Sequence, residues 1–264
     1  DTATPEIYTL SLHDALPIWG RYTGSDYAKA VSVSGTYVYS AYNEAGFRVI
    51  DISNPANPVK VGEVNTAGQA ASLDVSGTTA FLGEWGTSPG LRVINISSPE
   101  QPVMSGSVSS SWGLVDIAYQ SGYVYAAGQD HGFKVFDVRN SQPAEVDSLD
   151  TNPPNGVDVE NQYAYLATFD MAAMKGKVVV INIANPANVL AMTSFQTRGM
   201  ALDIVVSNNL AYVADGASGL SIYDVASPTS PKLKGYFSTT GSARNVFLHQ
   251  NTAYVAVSKK GLWV

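Results

Sequence analysis

The chain of 264 residues contains no cysteine, which excludes disulfides and thiolate metal sites and suits an exported bacterial protein. Basic residues are few. Fifteen Lys and Arg stand against 22 Asp and Glu, a net charge of −7, and no basic cluster forms in the sequence. That balance argues against nucleic acid and against anionic membrane surfaces as partners. No apolar run approaches the roughly 18 residues a membrane-spanning helix needs, so no membrane insertion is expected. Histidine is limited to His13, His131 and His249, without metal-ligand spacing and without a convincing Ser-His-Asp set. No Gly-x-x-x-x-Gly-Lys phosphate loop and no dinucleotide fingerprint occurs. Helical periodicity is missing throughout residues 19–264.

What is present is a repeat. Gly46-Phe47-Arg48-Val49-Ile50-Asp51-Ile52-Ser53-Asn54-Pro55, followed by Pro58, returns as Gly90-Leu91-Arg92-Val93-Ile94-Asn95-Ile96-Ser97-Ser98-Pro99 with Pro102. Further copies surround Asp137, Asn182 and Asp224, and Gly261 opens a sixth. The steps between the Asx positions are 44, 42, 45 and 42 residues. A period of this length, filled with short β-branched and aromatic runs, predicts an all-β fold, a β-propeller of four-stranded blades.

In the first copy the strands are expected at 31–33, 37–41, 47–52 and 59–64, with Pro55 and Pro58 turning the chain before the outermost strand. From the first-strand Asx or Ser to the second-strand aromatic is 7 residues in three copies, as Asp74 to Phe81. It is 9 in the other three, as Asp116 to Tyr125. A difference of two keeps each side chain on its own face. Small residues before the first strand, such as Ala70, Ala71, Gly156 and Ala201, fit crowding at a propeller axis.

Residues 1–18 lie outside the repeat. Thr9 to Ile18 resembles the translation of a common sequencing-library adapter, and Asp1 to Tyr8 continues that frame except at Pro5. A signal peptide or a native strand is the rival reading. A signal peptide wants a basic start and a continuous apolar stretch, whereas residues 1–18 hold no Lys or Arg and Ser11, His13 and Asp14 break the apolar stretch. Two regions are therefore expected: 1–18 as non-native sequence and 19–264 as the repeat domain, cut at both ends. Without Asp1, Glu6 and Asp14 the acids number 19 against 15 bases, a net charge of −4. Residues 19–23 align with a fourth strand and would complete the last blade of a closed six-bladed ring. The alternative is an arc from a parent of seven or eight blades.

The pattern Gly-Leu-x-Ile-x-Asp-Val-Ser-x-Pro-x-x-Pro at 46–58, 90–102 and 219–231 resembles the LVIVD repeat of bacterial and archaeal surface or secreted proteins. Two copies depart from it, with Ser141 for the first proline and Val189 for the second. The resemblance implies an extracellular or cell-surface propeller that binds or scaffolds, and it brings no catalytic residues.

Two groups of residues carry candidate chemistry. Asp74, Asp116, Asp158 and Asp203 recur on the first strands. Four carboxylates near an axis, about 10 Å apart at an effective dielectric near 20, repel by roughly 1.7 kcal/mol per pair. They need either backbone donors from the next blade or a cation such as Ca²⁺. The loops after the second strands contribute Tyr42, Glu84, Trp85, Gln129, Asp130, His131, Phe169, Asp170, Met171 and Asp215 to one face. Variable loops on a rigid scaffold are where binding residues gather. The alternating Asp51, Asn95, Asp137, Asn182 and Asp224 suit Asx-turns, not acid chemistry. The functional expectation is a non-catalytic module meeting a protein or glycan partner at the loop face. The alternative is a propeller lyase or hydrolase acting on extracellular polysaccharide.

Overall fold

The computed structural model describes residues 20–24, 26–129, 131–170 and 175–264. Residues 1–18, Trp19, Asp130 and Met171 therefore lie outside the described residues. The chain is an all-β, six-bladed β-propeller, and no helix occurs among the described residues.

Blade 1 consists of Ala30–Ser34, Tyr37–Ala41, Phe47–Asp51 and Val59–Val64, within a residue or two of the limits read from the sequence. Blade 2 follows with Gln69–Ser76, Thr79–Trp85, Gly90–Asn95 and Val103–Ser109. Blade 3 holds Leu114–Gln120, Tyr123–Gly128, Gly132–Asp137 and Ala144–Asp150. Blade 4 holds Pro154–Glu160, Tyr163–Asp170, Lys175–Asn182 and Leu190–Gln196. Blade 5 holds Asp203–Ser207, Leu210–Ala214, Leu220–Asp224 and Lys232–Phe237. Blade 6 has three strands, Ala243–His249, Thr252–Val257 and Gly261–Trp263. Every sheet is an antiparallel meander in sequence order.

Pairing bears out the parity read from the sequence. Asp74 lies opposite Phe81 and Asp158 opposite Tyr165. In the longer copies Asp116 lies opposite Ala127 and Asp203 opposite Ala214, two residues past the aromatic and on the same face.

Each meander buries both faces against its neighbours. Tyr39, Phe47 and Val49 of blade 1 pack on Ala80, Leu82 and Ile94 of blade 2. Phe81 and Leu91 of blade 2 meet Leu114, Ile117 and Phe136 of blade 3. Equivalent cores join blades 3 and 4, 4 and 5, and 5 and 6. A fully buried Phe or Leu contributes roughly 1.5–3 kcal/mol, so these cores dominate cohesion.

The repeat motif has a mechanical role at the rim. Asp51, Asn95, Asp137, Asn182 and Asp224 each accept the backbone N–H two residues on, at 2.7–3.0 Å, and shape the same turn in five blades. The prolines after that turn pack against the outer strand of the preceding blade. A Cβ on Gly62 would collide with the Pro99 carbonyl oxygen and the Pro102 ring. At Gly106 the fit is looser, with Ser141 O at 3.0 Å and the Pro143 ring at 2.9 Å. At the next junction both partners change together. Asp147 stands where the glycine stood, opposite Val135, and Val189 stands where the proline stood. The N–H that proline lacks then donates to Asp147 Oδ2 at 2.6 Å.

Gly20 occupies the same kind of seat against Pro55 and Pro58 of blade 1. This places residues 20–24 beside blade 1 as an outer strand would lie, in line with the alignment. The segment is not a strand, however, and the third strand of blade 6 has no outer partner among the described residues. Among the described residues no core cluster joins blade 6 to blade 1 either. Val31 and Val33 are each 62% exposed, Phe247 63% and Leu262 56%.

Candidate functional site

The inner ends of four blades enclose a cavity of about 410 Å³ on the face carrying the loops between second and third strands. Its polar and ring-bearing lining comes from Lys29, Trp85, Gln129, Pro153, Pro154 and Asn155. Ala71 and Val115, at the starts of two first strands, complete it. These residues converge because a first strand begins where the preceding second strand ends, so both connections open on one face. Small side chains at the axis leave the space.

Trp85 ends the second strand of blade 2, paired with Gln69, and is half-buried. Gly113 lets it in, since a Cβ there would stand 2.7 Å from Trp85 Cβ and 3.0 Å from Gln129 Oε1. The indole N–H is buried without an acceptor among the described residues. The Lys29 ammonium lies 5.6 Å from the Trp85 ring centre and 5.0 Å from that of Tyr27. Asn155 donates from Nδ2 to Ala201 O at 2.9 Å, which fixes the carboxamide. Beside the cavity His131, exposed, stacks on Trp112 at 4.8 Å, and Lys134 lies 4.0 Å over the same indole.

Six copies of one repeat model cover this chain, at residues 25–66, 67–110, 115–151, 155–197, 198–239 and 240–264, and the model is that of the LVIVD repeat. The chain belongs to the LVIVD-repeat family. No curated protein sequence matches it. Among solved structures, this LVIVD propeller is similar to a chain of the Mitotic Checkpoint Complex, with TM-score 0.77 and 12% identity over 93% of this chain and 76% of that one. It is also similar to BamB from Moraxella catarrhalis, with TM-score 0.59 and 15% identity over 91% and 83%. The computationally designed Ika8 protein gives TM-score 0.61 and 11% identity over 89% and 82%. At such identities the likeness is one of fold.

Of the ten loop-face residues expected to meet a partner, the LVIVD propeller brings Trp85 and Gln129 to the cavity, while His131 stacks on Trp112 outside its lining. Phe169 and Asp170 are half-buried and extend the strand ladder, paired with Gly176 and Lys175. Three residues require correction. Tyr42 is 8% exposed, and Glu84 and Asp215 are fully buried. Each sits one residue past the small residue that ends the visible alternation, where the ladder or its closing turn still holds the backbone and the pleat points inward. The Glu84 carboxylate lies 2.7 Å from the Arg92 guanidinium, off its N–H axis. Asp215 Oδ2 accepts Arg198 N–H at 2.7 Å and Ser221 Oγ at 2.9 Å. Tyr42 packs edge-on against Tyr22. These groups support loops and display nothing.

The four first-strand aspartates form a ladder between blades. One oxygen of Asp74 accepts Val75 N–H and the other Tyr119 N–H of blade 3, both at 2.7 Å. Asp158 bonds Val159 and Val206, and Asp203 bonds Ile204 and Val246, at 2.6–2.9 Å. Asp116 reaches Val157 of blade 4 at 2.8 Å. Burial pushes the Asp158 carboxyl up to about 7 and Asp203 up to about 6, against the pull of those donors. Burial also raises Asp116 well above the usual carboxylate range, and the neighbouring Asp203 and Asp158 charges add to the shift. Among the described residues no three His, Asp or Glu side chains stand close enough to hold a metal ion.

Sequence reasoning missed Lys29, Trp112 and Asn155 because they belong to connections between blades. A second cavity, of about 440 Å³, opens between blades 2 and 3 at the opposite end, lined by Ser76, Thr79, Tyr119, Arg139 and Ser141 among others. It lies where the Ser141 copy departs from the LVIVD motif and the Gly106 seat is loose.

Proposed function

We propose that this LVIVD propeller is a non-catalytic binding module of an exported or cell-surface protein, taking a protein or glycan partner at the axial mouth of its loop face. The observation that carries the reading is the convergence of Trp85, Gln129, Lys29 and Asn155 on one preformed cavity. Its size falls within the roughly 300–1,000 Å³ of ligand pockets, and its mix of flat apolar surface with a few polar groups is typical of them. Among the described residues no helix is long and apolar enough to cross a membrane.

The enzyme alternative draws on the raised carboxyls of Asp116, Asp158 and Asp203, since perturbed acids mark many active sites. Here those oxygens receive backbone N–H groups across blade junctions, and among the described residues no carboxylate lines the cavity. That arrangement supports a structural role for the aspartates, as buckles and not as calcium ligands or proton shuttles.

The test is a tryptophan-fluorescence titration of the full chain with panels of soluble polysaccharides and peptides, with chromatography of the mixtures afterwards. Saturable quenching that Trp85→Phe reduces, with the ligand recovered intact, is expected. Shortened or unsaturated saccharide products would overturn the non-catalytic reading.

A further inference from the structure

We infer that the axial cavity binds an acidic sugar, a hexuronate unit of a polysaccharide, with Lys29 receiving its carboxylate. The inference rests on the binding-module reading and narrows its ligand class. Three features of the cavity converge on this chemistry.

The first is an unneutralised cation. Lys29 is exposed at the mouth, its ammonium lies over aromatic faces, and no carboxylate pairs with it among the described residues. Other cations near this face are engaged: Arg92 with Glu84 and Lys134 with Glu145. Among the described residues the lining contains neither Asp nor Glu. In a chain of net charge −7, a mouth whose described residues hold an unpaired lysine and no acid favours an anion.

The second feature is shape and apolarity. Trp85 gives a flat, C–H-accepting aromatic surface, and Pro153 and Pro154 add apolar contact, around a space of about 410 Å³. A pyranose presents one C–H-rich face that stacks on such a surface, which an inorganic anion does not. The third is hydrogen-bonding capacity. Gln129 has no side-chain partner among the described residues, and the Asn155 carboxamide keeps its oxygen as an acceptor once Nδ2 is engaged by Ala201. Neutral amides that both donate and accept match vicinal hydroxyls. An acidic peptide would use Lys29 and could meet the amides through its backbone, but it presents no C–H-rich ring face to Trp85.

The test titrates the full chain with a trigalacturonate, a neutral galactotriose and poly-L-glutamate, by calorimetry and tryptophan fluorescence. Trigalacturonate is expected to bind at low salt and to weaken as salt rises. Lys29→Gln, an exposed change that leaves the core untouched, should weaken it about tenfold, the scale of one charge-assisted contact. Trp85→Phe should reduce the quenching, with a thermal melt confirming that the variant folds. Equal binding of the neutral trisaccharide, unaffected by Lys29→Gln, would overturn the acidic-sugar inference and leave the binding module standing. Poly-L-glutamate binding without trigalacturonate binding would overturn the sugar in favour of an acidic peptide. No binding of any probe at millimolar concentration would overturn this inference, while the wider screen would still decide the binding-module reading.

Discussion

The junctions along blades 1 to 6 and the junction from blade 6 back to blade 1 are made from one repeat, yet they differ in kind. Five consecutive junctions bury aromatic and aliphatic side chains from both partners. At the sixth, Val31, Val33, Phe247 and Leu262 stay exposed, although their counterparts Leu73, Val75, Val205 and Leu220 are wholly or partly buried. The same sequence pattern therefore makes a core only where a neighbouring blade faces it. Burial here is a property of the stack and not of the blade, as in other repeat proteins. The axial cavity draws its lining from blades 1 to 4, which belong to the packed stretch.

Breaking a packed junction should have the largest effect. Phe133→Ala, deep between blades 3 and 4, is expected to cost about 3–5 kcal/mol in urea unfolding, while Phe247→Ala at the open junction should cost less than about 1 kcal/mol. Equal losses would mean that the sixth junction closes in solution. Next comes the aspartate ladder. Asp116→Ala strips an acceptor from buried N–H groups and should cost about 1–3 kcal/mol. Added calcium or a chelator should leave the melting temperature of the parent unchanged. A calcium-dependent rise that Asp116→Ala abolishes would instead assign the ladder to a cation.

A smaller effect concerns pH. The folded chain holds protons on Asp158 and Asp203 up to about 7 and about 6, whereas an unfolded carboxyl releases them near 3.9. Their stabilising contribution is complete below about pH 4 and is lost as pH rises through 6 to 7. The protein should melt higher at about pH 5 than at about pH 8, and Asp158→Asn should flatten that slope. A steeper slope in the variant would contradict the assignment. Smallest of all, Val31→Thr should change stability by no more than about 0.5 kcal/mol.

Much of this architecture was legible in the sequence because the repeat fixes turns chemically. The alternation of Asp and Asn at 51, 95, 137, 182 and 224 announced a turn acceptor, and all five accept that turn's N–H. The strands of blade 1 followed from Tyr37-Val38-Tyr39 and the prolines. The aspartate ladder was legible only as a choice between donors and a cation, since the partners lie 41–48 residues away. The site was half legible. Trp85 at the end of its strand, and Gln129 and His131 in the turn after theirs, stand at the positions following the second strands that the repeat spacing marks. Tyr42, Glu84 and Asp215 misled because the inward pleat continues past the last small residue of the strand. Lys29, Trp112 and Asn155 lie in connections whose convergence depends on the ring, which no local pattern encodes.

Hydrogen–deuterium exchange of the unliganded chain, read by mass spectrometry, tests the contrast between junctions most directly. Slow exchange is expected in the inner strands of blades 2 to 5, with much faster exchange in Ala30–Ser34, Ala243–His249 and Gly261–Trp263, whose faces at the sixth junction join no core cluster among the described residues. Protection of those three segments equal to that of Tyr123–Gly128 would contradict the account and show that the ring closes as a sixth packed junction.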